Sequence, residues 1–178
     1  MRENDYPIGK FNEVENPTEK DIQNWIQEIE KTPQLLKETI QQFGEDEMEF
    51  TDKPGGWTIK QIVHHIADND INVYFRIKRI LTEPEPMMPS YHQDLWAKLE
   101  DYKEPVEVSV NMIIALYHRF MILLKNLNSE QLKRTMISET FGVMNLEVIL
   151  QRLLWHDRHH IAQINMIAET RNAFLKCE

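Results

Sequence analysis

Cysteine occurs once in this sequence, at position 177, so no disulfide framework is available and a tail thiol is a poor candidate nucleophile. Glycine is nearly as scarce, with five in the chain. No Gly-rich phosphate loop and no Gly-x-Ser-x-Gly elbow can be found, which removes the commonest nucleotide and serine-hydrolase sites. Basic residues are outnumbered, 20 Lys and Arg against 29 Asp and Glu, for a formal charge of -9. Binding a phosphate backbone needs a concentrated basic patch. The best candidate, "YFRIKRI", is the solvated face of an amphipathic pattern, so no nucleic-acid partner is expected.

Long hydrophobic runs are also lacking. "MRENDYPIGKF" has no apolar stretch of the secretory kind, and "VNMIIALYHRFMILL" is broken by His118 and Arg119. The expectation is a cytoplasmic protein without a membrane partner. With 178 residues, 42% of them hydrophobic, the chain is long enough to bury one core, and a single domain over 1–178 is expected.

What is present is helical periodicity. At "NPTEKDIQNWI", Asn16 is the expected cap, Pro17 suits a first turn and Glu19 completes a capping box. Pro33 lacks a backbone donor and must kink or divide this helix. "GGWTIKQIVHHIADNDINVYFRIKRIL" opens on a second capping box, Thr58 with Gln61, and the prolines of "EPEPMMPS" end it. A long connection follows, with a short helix through "DLWAKLED". A third helix runs through "VEVSVNMIIALYHRFMILLKNL", an extended stretch through "MISETFGVM", and a fourth helix from about Asn145 to Arg171. Strand patterns are sparse. The predicted fold is all-α, a four-helix bundle with long crossover connections.

Bundles of this kind build sites from side chains on facing helices, which directs attention to "HDRHH". At 100° per residue, Ile149, Leu150, Leu153, Ile161, Ile164 and Ile167 define the buried stripe of the fourth helix. His160 falls inside it, His156 and Gln163 lie on its edge, and His159 points to the far side. His156 and His160 are thus one turn apart on one face, the spacing at which two imidazoles reach one metal ion. Zinc proteases use it in H-E-x-x-H, but here the acid, Asp157, directly follows the first histidine, so protease chemistry does not carry over. The second helix supplies a third ligand. Its stripe of Ile59, Ile62, Val63 and Ile66 leaves His65 leaning inward and His64 further round towards solvent. His92 and His118 have no partner at ligand spacing. The competing reading is ordinary surface histidine chemistry; the inward orientation on two helices weighs against it.

These motifs, "GGWTIKQIVHHIAD" followed by "WHDRHHIAQI", resemble the DinB-like helical bundle superfamily, and within it the YfiT group. "YPIGKF", Pro33 and "HRFMILLKNL" extend the likeness over nearly the whole chain. The resemblance implies a four-helix bundle with a three-histidine site for one divalent metal ion per chain, zinc or nickel. It places His65, His156 and His160 as the ligands, with Gln163 in a supporting role. It also implies a homodimer.

Three nitrogen ligands leave positions open on a divalent metal, the mark of a catalytic rather than a structural site. Two enzymes fit. One is a metal-dependent hydrolase that activates a bound water. The other transfers a low-molecular-weight thiol of the bacillithiol type, as relatives in the superfamily do. A third possibility is a metal-binding, stress-related bundle without catalysis, which requires no cavity beside the site. Asp68 and Asp157 are candidates to hold an imidazole tautomer, Asp157 the better placed. The loop "EPEPMMPSYHQDLW" offers Met87, Met88, Tyr91 and Trp96 as a cavity wall.

Overall fold

The computed structural model describes residues 6–175, with side chains to Arg171; Cys177 lies outside them. The chain starts its first helix, α1 (Glu19–Glu30), from Thr18 rather than from Asn16. The Thr18 hydroxyl accepts from the Asp21 amide and the Asp21 carboxylate accepts from the Thr18 amide, so Asp21 takes the place expected for Glu19. The reason is conformational. An N-cap is extended, as Thr18 is, whereas Asn16 is left-handed with φ 51°. The helical ladder breaks at Lys31, where Pro33 offers no amide hydrogen, and α2 (Thr32–Ile40) follows at once.

Helix α3 (Ile59–Thr82) begins at the expected box, with Thr58 and Gln61 exchanging side-chain and backbone bonds of 3.0 and 3.2 Å. Such a cap stabilises by about 1 kcal/mol. Strand β1 (Met87–Met88) and the single turn α4 (Gln93–Trp96) lie in the connection to α5 (Val106–Leu124). After α6 (Ser129–Leu132), the extended stretch forms a hairpin of β2 (Thr135–Ser138) and β3 (Gly142–Asn145). Gly142, at φ 72°, makes the turn that L side chains resist. Strand β1 joins β2 in parallel, Met87 beside Ile137, which ties the α3–α5 connection to the hairpin. The last helix, α7 (Leu146–Leu175), is capped by the Asn145 side chain, which accepts from the Val148 amide at 3.0 Å.

Helix α3 packs on α5 and α7, and α1 and α2 pack on the same two. The α1/α2 pair and α3 therefore sit across one diagonal of the bundle and α5 and α7 across the other, so both of these successions need crossover connections, whereas α3 and α5 are direct neighbours. Phe120, Ile29, Leu36, Ile66, Ile77 and Leu150 fill the centre. Helix α5 departs from expectation in one respect. By length and composition it is long and apolar enough to cross a membrane, because His118 and Arg119 are diluted among aliphatic residues to a mean hydropathy of 1.4. In the bundle, its Val110, Ile113, Tyr117, Phe120 and Leu124 are core, while Val108, Met112 and Ile122 stay exposed.

Candidate metal centre

The stripes of α3 and α7 face each other near the start of α3 and the middle of α7. There His65, His156 and His160 converge, each offering a ring nitrogen, with all three nitrogens within 4.8 Å of one another. His65 Nε2 and His156 Nε2 are 3.0 Å apart. At that distance either one ring N–H donates to the other ring's lone pair, or both lone pairs face one metal ion. The Nδ1 of His160 donates to Gln163 Oε1 at 2.7 Å, which directs its Nε2 lone pair away from Gln163. Trp57 closes the side, its ring edge-on to His65 at 4.6 Å and near-parallel to His160 at 6.4 Å.

Burial decides the protonation state of this cluster. Desolvation, then the charge of neighbouring His156, pushes the His65 imidazole down to about 3. His160 is pushed well below its ordinary value by the same causes in the same order. Both are neutral near neutral pH, the form that ligates a metal. The donor set fits a divalent cation: three buried or half-buried imidazoles on helices, their nitrogens all within 4.8 Å of one another.

Beneath His156, the helices are joined by carboxyl groups. Asp157 is fully buried and accepts from the Tyr117 hydroxyl at 2.7 Å. Its other oxygen lies 3.5 Å from His156 Nδ1. Asp70, on α3, is also fully buried and accepts from Asn69. Burial first, and the Asp157 charge second, raise the Asp70 carboxyl well above the ordinary carboxylate range. Both causes favour the neutral form of Asp70. Asp70 and Tyr117 gave no sequence pattern of their own; a polar residue at a core position of each helix was the only available clue.

Two histidines depart from expectation. His64, read as leaning towards solvent, is 4% exposed. Its Nε2 donates to the Glu104 carbonyl at 3.0 Å, so its Nδ1 accepts from the Ser109 hydroxyl at 2.7 Å. The segment before α5 covers it. Asp68 belongs to this neighbourhood, accepting from Tyr102 at 2.7 Å, and not to the trio. His159, read as pointing away, is 7% exposed. It is not among the three converging residues, although its ring lies 4.9 Å from that of His160; it stacks on Trp155 at 5.0 Å and meets Tyr6 at 5.7 Å, under the N-terminal segment. Val14 pairs with the Gln151 side chain to hold that segment down. Burial, then His156, pushes His159 down to about 4. His92 and His118 are exposed and apart from the site.

A cleft of about 300 Å³ runs from His156 along the α3–α7 seam to the hairpin. Of the loop residues expected as its wall, Tyr91 lines it. Met88 is instead buried in the core, Met87 is exposed beside the hairpin, and Trp96 stacks on Tyr91 behind the wall.

Fold and site together define a helical bundle with a three-histidine centre. A family model described as the DinB superfamily matches residues 28–164. The chain belongs to the DinB superfamily. It is similar to a protein of Halalkalibacterium halodurans that carries the provisional name of metal-dependent hydrolase, 40% identical over 91% of this chain and 95% of that one. A protein of Oceanobacillus iheyensis with the same provisional name is 35% identical over 94% and 97%. Among solved structures, YfiT from Bacillus subtilis superposes with a TM-score of 0.91 at 32% identity, covering 94% of this chain and 97% of that one. That protein is described, again provisionally, as a metal-dependent hydrolase with an unusual four-helix bundle topology.

Proposed function

We propose that this protein is a metal-dependent hydrolase whose His65, His156 and His160 hold one divalent ion, zinc or nickel. The observation that carries the reading is the approach of His65 Nε2 and His156 Nε2 to 3.0 Å in a buried, neutral environment. When bound, such an ion supplies Lewis acidity and lowers the pKa of water towards neutrality. The remaining work falls to the chain. Gln163 fixes the tautomer and orientation of His160 through its 2.7 Å bond. Asp157, held by Tyr117, lies behind His156 Nδ1 and favours the proton on that nitrogen. Trp57 excludes water from one side, and the cleft beginning at His156 receives the substrate.

That cleft favours an enzyme over a metal-binding bundle without catalysis, which has no use for a cavity opening on its ligands. A low-molecular-weight thiol as the attacking group is the competing chemistry, since the same donor set suits either nucleophile. The first test is elemental mass spectrometry on untagged wild-type, His156→Ala and His160→Ala proteins. About one zinc or nickel per wild-type chain, lost in both variants with helicity intact, is the expected result. Equal metal in all three proteins overturns the reading. Metal-loaded protein is then assayed for ester and amide hydrolysis beside thiol conjugation. Turnover of esters or amides, abolished in His156→Ala, is expected; conjugation alone assigns the transferase.

A further inference from the structure

The cleft beside the trio is chemically lopsided. In a chain of formal charge -9, its lining among the described residues holds two arginines, Arg76 and Arg152, and no carboxylate. Apolar side chains such as Val73, Met136, Ile149 and Leu153 form much of the remainder. Both cations are half-buried, and neither has an acidic partner within ion-pair distance among the described residues. Arg76 makes one hydrogen bond, to the Pro89 carbonyl at 3.1 Å. Among the described residues Arg152 makes none, and its Nε is buried without an acceptor.

Arg152 is nevertheless held firmly in place. Its guanidinium carbon lies 4.4 Å from the Phe11 ring centre and 3.9 Å from that of Phe141. Stacking of this kind occupies the faces of the guanidinium and leaves its edge N–H groups as the direction of approach for an acceptor. Burial pulls its basicity down against the attraction of Glu13, which is not among the cleft residues. A desolvated guanidinium with unused in-plane donors is the arrangement that recognises a planar, bidentate carboxylate.

Register on the helices connects this cation to the trio. Arg152 precedes His156 by one turn of α7, about 5.4 Å along the axis. On α3, His65, Asn69, Val73 and Arg76 recur at helical spacing, and the last three line the cleft. The cleft therefore has histidine at one end, guanidinium further along and an aliphatic wall between.

We propose that the substrate is a small molecule carrying a carboxylate on an apolar body. Arg152, assisted by Arg76, takes the carboxylate, the apolar part lies along Val73 and Leu153, and the reacting group is presented to the trio. This assignment rests on reading the trio as the metal centre.

The test is isothermal titration of the full chain, zinc-loaded and after chelation, with hexanoate, hexanamide and hexylphosphonate. Hexanoate is expected to bind at least about tenfold more tightly than the isosteric amide in both states, since charge-assisted donors favour the anion. Arg152→Gln erases that preference, and Arg152→Lys, which keeps the charge without the fork, retains only part of it. Should Arg152→Gln fail to fold, Arg152→Lys and Arg76→Gln carry the test, and an unchanged preference in both overturns the proposal. A preference seen only with zinc and unaffected at Arg152 assigns the carboxylate to the metal and overturns it too. Tighter binding of the phosphonate overturns the carboxylate class. Zinc binding without any preference defeats this inference alone, whereas a preference without zinc binding supports the cleft and removes the metal centre.

Discussion

His64 and His65 are neighbours on one helix, are both buried, and have opposite surroundings. Each ring nitrogen of His64 has a protein partner, the Ser109 hydroxyl and the Glu104 carbonyl. His65 has no acceptor for Nδ1, and its Nε2 faces another imidazole at 3.0 Å. Burial cannot tell a ligand from a structural histidine here, since the two are 4% and 2% exposed. Hydrogen-bond closure separates these two. A buried polar group left open costs about 1–3 kcal/mol. His65 Nδ1 bears that cost, as His159 Nδ1 does outside the trio, and what sets His65 apart is the convergence of its other nitrogen on His156 and His160.

The comparison breaks if the two positions respond alike. His65→Ala is expected to abolish metal retention, lowering affinity by more than the roughly 10–100-fold that loss of an outer partner causes. His64→Ala is expected to keep about one metal per chain. It leaves the Ser109 hydroxyl and the Glu104 carbonyl unpaired and destabilises the fold by about 1–3 kcal/mol. Metal content by mass spectrometry and denaturant melts separate the two outcomes. Loss of metal in His64→Ala at preserved fold defeats the contrast.

A second contrast lies between the imidazoles, which burial keeps neutral by holding their pKa down, and the Asp70 carboxyl beneath them, whose pKa burial raises. The Asp70 carboxyl is raised by burial and by Asp157, which favours its neutral form in the fold. The sign follows from linkage. With the folded value above the unfolded one, stability is fully present below the unfolded pKa, about 3.9, and declines as pH rises towards and through the folded value. Asp70→Asn keeps the shape and removes the titration. It should therefore raise stability near pH 8 by an amount on the order of kcal/mol, and by little near pH 4. At this chain length each kcal/mol moves the midpoint by about 2–4 °C. Thermal melts of both proteins across that range decide it; a stabilisation independent of pH, or one that grows as pH falls, is incompatible with a protonated Asp70.

The same contrast explains how much was legible in the sequence. A helical wheel finds a residue's angle to its own stripe, and that selects His65, His156 and His160, because these lie on the α3–α7 seam. It fails for His64 and His159, which are covered by non-helical segments: the chain before α5 in one case, and the stretch around Tyr6 and Gly9 in the other. No periodicity announces where a loop will lie. Asn16 was misread for a similar reason, since a good capping residue in sequence is no cap when its backbone is left-handed. Pro33, Thr58 with Gln61, and the extended character of the stretch at 136–144 were legible because each acts through its immediate neighbours, whereas the pairing of that stretch into a hairpin was not read. Arg152 was missed altogether. Its environment is assembled from Phe11 and Phe141, far apart in the chain, and no spacing rule connects them.

Gln163 offers the finest test of the distinction between closed and open nitrogens, because it closes one nitrogen of a ligand while the other stays free. Its Oε1 accepts from His160 Nδ1, which places the proton there and orients the ring. Gln163→Leu conserves approximate volume and removes the acceptor, so His160 is free to adopt the other tautomer. The expected loss is about tenfold in metal affinity, the low end for an outer partner, because a neutral amide accepts less strongly than a carboxylate. Gln163→Glu supplies the stronger acceptor and should recover affinity to the wild-type level or above, provided the carboxylate points at the same Nδ1. Competition with a chromogenic zinc chelator measures all three proteins on one scale. If Leu and Glu at this position bind metal alike, the Nδ1 bond is packing, and orientation of His160 comes from Trp57 and the helix instead.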